Sequence, residues 1–213
     1  VGRDFGGQGV ERRAGQGSQR ENVPVPRSLL FTPFAKEHWS IFLDSGYPYI
    51  DLGRYDIIAA RPHITLKTFA DKTEIVYANG NKELSSDDPF SLLKRLLGEN
   101  ENKLSTVPFA GGALGYFAYD LGRRIEKIPD TSEHDITMPE MAIGIYDWAV
   151  VTDHQQRRTW LTGYGKDERT FDEWSELQDL FQKNVELDVS KFSTQEFEVR
   201  SDIHPNMDNE YYA

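Results

Sequence analysis

Apolar and polar residues alternate over Ile64–Lys67, where Ile64 and Leu66 stand against Thr65 and Lys67. A two-residue period marks a half-buried strand. The same reading finds strands over Trp39–Leu43, from Tyr55 to about Ala60, and over Thr73–Ala78. They are separated by Asp44-Ser45-Gly46, Pro62 and Ala70-Asp71-Lys72, which are turn or break signals. Asn79-Gly80 is the strongest hairpin dipeptide present, so the run from Tyr55 is expected to form an antiparallel meander. Two apolar stretches predict buried strands: the glycine-rich opening of Pro108–Glu126, and Met141–Thr152. The second is turned by Asp153–Gln156 into Thr159–Thr162.

The period changes to that of a helix twice. Asp87 or Asp88 can cap a helix that Pro89 opens and Gly98 stops, with Phe90, Leu93, Leu96 and Leu97 on one face. A second amphipathic helix is predicted over Asp167–Lys183, with Phe171, Trp174, Leu177 and Phe181 facing inward. The expected fold is α+β, mainly antiparallel sheet with a few covering helices. Residues 1–27, rich in Gly, Gln and Arg without periodicity, read as a disordered leader or a non-native extension. Residues 185–195 read as a connector, 196–200 as an extended exit, and 204–212 as the first turn of a further helix.

Composition narrows the function. A net charge of −11 over 213 residues argues against nucleic acid and anionic membrane as partners. The absence of cysteine removes disulfides, thiolate metal sites and cysteine nucleophiles, and fits a reducing compartment. No apolar run approaches the ~18 residues of a membrane span. The expected location is the cytoplasm.

Candidate chemistry is sparse. The five histidines, His38, His63, His134, His154 and His204, show no H-x-x-x-H or H-E-x-x-H spacing. Ser45 lies in LDSGY, which lacks the G-x-S-x-G elbow of a hydrolase nucleophile. The Gly111, Gly112 and Gly115 run has neither phosphate-loop nor dinucleotide spacing, and its glycines mark places where another backbone or side chain comes close. Beyond it, Asp120, Arg123, Arg124 and Glu126 make either an ion-pair network or a solvated turn. Asp44-Ser45 and Arg54-Tyr55-Asp56 would lie side by side if their strands pair. A hydroxyl, a guanidinium and a ring brought together there could hold a small amino acid, or the segment could be a loop held by its own hydrogen bonds.

Three segments in order, LDSGY…GRYDIIAARP, GGALGYFAYDLGRRIE and MPEMAIGIYDWAVVTDH, resemble the N-terminal half of aminodeoxychorismate synthase component I, within the anthranilate synthase component I superfamily. The resemblance covers roughly residues 28–213. It implies amination of chorismate at C4 with ammonia from a glutamine amidotransferase subunit, requiring Mg2+ and feeding 4-aminobenzoate and folate synthesis. It divides the chain into an N-terminal-type domain over 28–200 and the start of the catalytic domain over 201–213. The family's catalytic lysine, metal ligands and chorismate-binding residues would then lie in an absent C-terminal half, so the chain is expected to be a truncated, inactive fragment. The resemblance also places one wall of a tryptophan pocket at Leu43, Ser45, Leu52, Gly53, Arg54 and Tyr55. Asp44 stands where the anthranilate enzymes carry a glutamate. The alternatives are the sister enzyme, anthranilate synthase component I, and a non-catalytic tryptophan-binding or regulatory module.

Overall fold

The computed structural model describes residues 28–50, 52–98, 107–127, 129, 137–183 and 198–202. The expectations for 1–27, 185–195, 204–212, His134 and His204 lie outside them.

Two antiparallel sheets carry the fold. The first has strands β1 (Ile41–Leu43), β2 (Tyr55–Ala59), β8 (Trp148–Asp153) and β9 (Arg158–Gly163), in the order β1-β2-β8-β9. The second has β3 (Ile64–Phe69), β4 (Lys72–Tyr77), β5 (Lys82–Ser85), β6 (Gly112–Phe117) and β7 (Met141–Tyr146), in the order β5-β4-β3-β7-β6. Among the described residues the α-helices are α1 (Ser28–Phe31), α2 (Pro89–Leu97) and α3 (Glu168–Lys183). The α+β expectation with mainly antiparallel sheet is met.

Each sheet has its own core. On the second, Ile64, Leu66, Ile75, Met141, Ile143 and Ile145 pack with Leu92 and Leu93 of α2. On the first, Ile58, Trp148, Val150 and Leu161 pack with Leu30, Phe34 and Leu177 of α3. Trp174 and Phe181 join this second cluster, as the helical period predicts. Each core buries the apolar face of a sheet under a helix.

The chain switches sheets twice, and both switches correct the sequence reading. The meander begins at β3, not at Tyr55: β2 pairs with β1 and β8, whereas β3 pairs with β4 and β7. Arg61, at φ 55°, turns the chain between the sheets and is held by Glu37 and Glu173, at 3.0 Å each. Met141–Thr152 is two strands rather than one, split at Asp147. That residue is 2% exposed; its carboxylate accepts the Lys166 N–H at 2.7 Å and its carbonyl that of Tyr164. Both strands are buried along their whole length, so apolar residues flank the switch on both sides and lose the two-residue alternation. Burial also pushes the Asp147 carboxyl up from its ordinary value.

The helix and turn signals hold with one adjustment. Asp88 caps α2 by accepting the Ser91 N–H at 2.8 Å, Pro89 opens it and Gly98 closes it. Its buried face is Leu92 and Leu93, while Phe90 turns outward and stacks on Phe117 at 5.7 Å. Asn79-Gly80 joins β4 to β5, and Asp153 forms the predicted turn into β9.

The glycine-rich strand is an edge strand, half-buried at its start and exposed at Gly115, Tyr116 and Phe117, not a buried one. The close approach predicted at its glycines is present. A Cβ on Gly115 would sit 2.0 Å from the Ala142 carbonyl oxygen, and one on Gly111 would meet Tyr164 Cβ at 2.6 Å. The polar run after it forms a 3-10 turn, Tyr119–Arg124. Arg123 pairs with Asp120 at 2.8 Å, and Arg124 reaches Glu140 at 3.1 Å.

Candidate functional site

Strands β1 and β2 do pair, Leu43 opposite Ile57, and the loop between them folds back on itself. Asp44 Oδ1 accepts the Gly46 N–H at 2.8 Å, and the Gly46 carbonyl takes the N–H groups of Tyr49 and Ile50. Gly46 adopts φ 76°, which favours glycine. At the far end a Cβ on Gly53 would lie 2.6 Å from the Ser45 carbonyl oxygen. Only a glycine lets the two ends of the loop close.

The loop is fastened by two carboxylates. Asp56 Oδ1 accepts both the backbone N–H and the hydroxyl of Ser45, at 2.9 and 2.8 Å. Its Oδ2 meets His154 Nε2 at 2.8 Å, and both side chains are 6% exposed. Tyr47 stacks on the His154 ring with centroids 4.4 Å apart. Asp153 holds the second fastening: Oδ2 accepts Arg54 Nε and Nη2 at 3.1 and 2.9 Å, and Oδ1 accepts the N–H groups of Gln155 and Gln156. The Arg54 guanidinium also lies over the Tyr55 ring, 4.6 Å from its centroid.

Of the six residues expected to form one wall of a tryptophan pocket, Gly53 lies against the Ser45 carbonyl and Arg54 lies over the Tyr55 ring. Leu43, the last residue of β1, is 44% exposed, and Leu52 is 93% exposed. The Ser45 hydroxyl and the Arg54 fork already have partners within the chain. The self-bonded loop is therefore what the geometry displays. Ser45, Asp56 and His154 have the composition of a catalytic triad in the wrong order. The carboxylate sits between hydroxyl and imidazole and bonds to both, so the imidazole is not placed to take the serine proton. The sequence reading counted His154 only among the scattered histidines and gave Tyr47 no role at the loop. Their signal is the pairing of Tyr55 with Asp153, which carries position 154 across to the loop.

Burial pushes the Asp153 carboxyl up, but the Arg54 fork and the two backbone N–H donors outweigh it and leave it below the ordinary value. A carboxyl with a depressed folded-state pKa contributes stability that is complete above the unfolded value, about 4, and is lost as pH falls below it. Asp153→Asn is accordingly expected to flatten the fall in stability below about pH 4, measured by urea unfolding across the acid range. An unchanged acid slope would show that the pairing with Arg54 contributes nothing.

The model of one family, chorismate binding enzyme, matches residues 47–213. The chain belongs to this family. Among relatives of this chorismate binding enzyme chain, aminodeoxychorismate synthase component 1 of Escherichia coli (strain K12) is 37% identical over 179 residues, covering 82% of this chain and 36% of that protein. Anthranilate synthase component 1 of Acetivibrio thermocellus is 31% identical over 139 residues, covering 64% of this chain and 28% of that protein. The chain thus spans about a third of the length of the aminodeoxychorismate synthases it matches. The crystal structure of anthranilate synthase component I from Streptococcus pneumoniae TIGR4 shares the fold, with TM-score 0.55 and 23% identity over 83% of this chain and 39% of that one. Among the described residues no helix is long and apolar enough to cross a membrane.

Proposed function

We propose that this chain forms the N-terminal part of an aminodeoxychorismate synthase component 1. In the complete enzyme, chorismate is aminated with ammonia delivered by a glutamine amidotransferase subunit, on the route to 4-aminobenzoate and folate. The higher identity, over a longer span, to aminodeoxychorismate synthase than to anthranilate synthase carries this reading. Residues 28–200 form the supporting domain and 201–213 begin the catalytic one. Among the described residues no group of three or more His, Asp or Glu is arranged to hold a metal ion. None of them is assigned to Mg2+.

The role of this part is to support and position. Asp56 and Asp153 hold the loop that presents Leu43, Ser45, Leu52, Gly53, Arg54 and Tyr55, one wall of a tryptophan site completed by another segment of the enzyme. The chain alone, incubated with chorismate, Mg2+ and ammonia, is expected to yield no aminated product. The complete gene is expected to restore growth to a strain requiring 4-aminobenzoate. Turnover by the chain alone would overturn the placement of the chemistry, and rescue of a tryptophan auxotroph instead would assign the anthranilate branch. Sub-millimolar tryptophan binding by the chain in calorimetry would favour a self-sufficient binding module.

A further inference from the structure

The two places where the chain passes between the sheets lie side by side. Residues 60–63 carry β2 into β3, and Asp147 carries β7 into β8. Because β2 pairs with β8 and β3 with β7, the crossings form one joint. The His63 N–H donates to the Ile145 carbonyl, and the His63 carbonyl accepts the Ala78 N–H, both at 2.9 Å. Asp147 ties the joint to the segment entering α3: its carboxylate accepts the Lys166 N–H and its carbonyl that of Tyr164, both at 2.7 Å. The Lys166 ammonium then donates to the Leu97 carbonyl at the end of α2. Both sheets and both covering helices thus meet at His63 and Asp147.

Among the described residues two buried side-chain atoms have no hydrogen-bond partner, His63 Nδ1 and Asp147 Oδ2, and both are here. Native interiors seldom leave such atoms unmatched. Asp147 is 2% exposed, whereas His63 is half-buried, so a small opening suffices to bring the imidazole into water. We propose that His63 is an acid-sensitive latch on this joint. Neutral, it lets the two crossings stay packed; protonated, it opens them locally, because an imidazolium needs the hydration that the closed joint denies it.

The charges around the ring divide. Burial is the largest influence on His63 and holds it below its ordinary value; Asp147 and Asp167 draw it toward the charged form, while Arg169 and Lys166 oppose them. The turn after β4 brings only the uncharged Ala78. A histidine lowered in the folded state contributes stability that is complete above its unfolded value, about 6.5, and is lost as pH falls below it. Asp147 runs the other way. Burial raises its carboxyl, so its contribution is complete below about 4 and fades as pH rises. Loosening on mild acidification therefore belongs to His63. If only the open form takes the proton, its population rises at most about tenfold between about pH 7.5 and 5.5.

Native-state hydrogen exchange of the full chain at these two pH values, corrected for the intrinsic rate, reads the joint directly. The His63, Ala78, Tyr164 and Lys166 amides are expected to lose protection severalfold, up to that ceiling. The Glu140 amide, which donates to the Thr68 carbonyl at 2.8 Å at the far end of the β3–β7 pair, should keep its own. His63→Gln, which cannot take the proton, should abolish the acid response at all four. NMR titration of the His63 ring in the unaltered chain supplies a reading that needs no variant, and its midpoint should fall below about 6.5. A midpoint at or above that value overturns the proposal. So does an acid response that survives His63→Gln, joint amides whose protection does not change with pH, or an equal loss at Glu140, which would mean that His63 charges only when the whole domain unfolds.

Discussion

Asp56→Ala is expected to lower stability by about 3 kcal/mol, with three hydrogen bonds worth roughly 1 kcal/mol each removed together. The Ser45 hydroxyl, the Ser45 N–H and His154 Nε2 all end on this one carboxylate. Asp56 is 5% exposed, so water does not readily take its place for the imidazole, and an unsatisfied buried donor adds to the loss. For a chain of this length the melting temperature should fall by roughly 6–12 °C. Asp56→Asn retains one acceptor and is expected to recover about half of the loss. Thermal and urea unfolding followed by circular dichroism measure both. A loss under about 0.5 kcal/mol, the size of an ordinary surface change, would mean that the loop is held by something else.

Gly115→Val should cost more than about 4 kcal/mol, in the range reserved for changes that the core cannot absorb. Its first side-chain carbon falls 2.0 Å from the Ala142 carbonyl oxygen and 2.9 Å from Ile143 Cα, both backbone atoms that cannot rotate away. At φ 153° the position is also one that L side chains rarely adopt. Relief requires β6 to detach from β7, which exposes the Met141–Ile145 face of the core. Gly80→Ala is the control: its φ is 86°, yet nothing lies within 4 Å of the added carbon. It should cost only the left-handed backbone penalty of about 1–2 kcal/mol. Equal losses in the two variants would show that backbone conformation alone, and not the contact with β7, makes Gly115 necessary.

The fastening of the loop and the seating of β6 were legible to different degrees. Sequence reading brought Ser45 and Arg54–Asp56 together, because a turn signal between two short strand patterns leaves few other arrangements. It could not find His154, 98 positions from its partner Asp56. Nothing in the local pattern says that the turn after β8 closes over the loop before β2. It marked Gly115 as a point of close approach, but it buried the strand because Ala113, Leu114, Tyr116 and Phe117 are apolar whether a second strand covers them or not.

Local chemistry by itself determined the elements whose causes lie within a few residues. Asp88, Pro89 and Gly98 bound α2; Asn79-Gly80 turns the hairpin; the two-residue period sets the inward face of β3; the 3.6-residue period sets that of α3. Each depends on backbone geometry or on one side chain reaching its neighbours. Only the tertiary structure decided which sheet each strand joins. The continuous apolar run Met141–Thr152 reads as one strand because strands buried on both faces lose their alternation, and the buried Asp147 that divides it is one polar position among many. Sheet membership is settled by pairing between distant strands, β3 with β7 and β2 with β8, and that is a property of the whole chain rather than of any window along it.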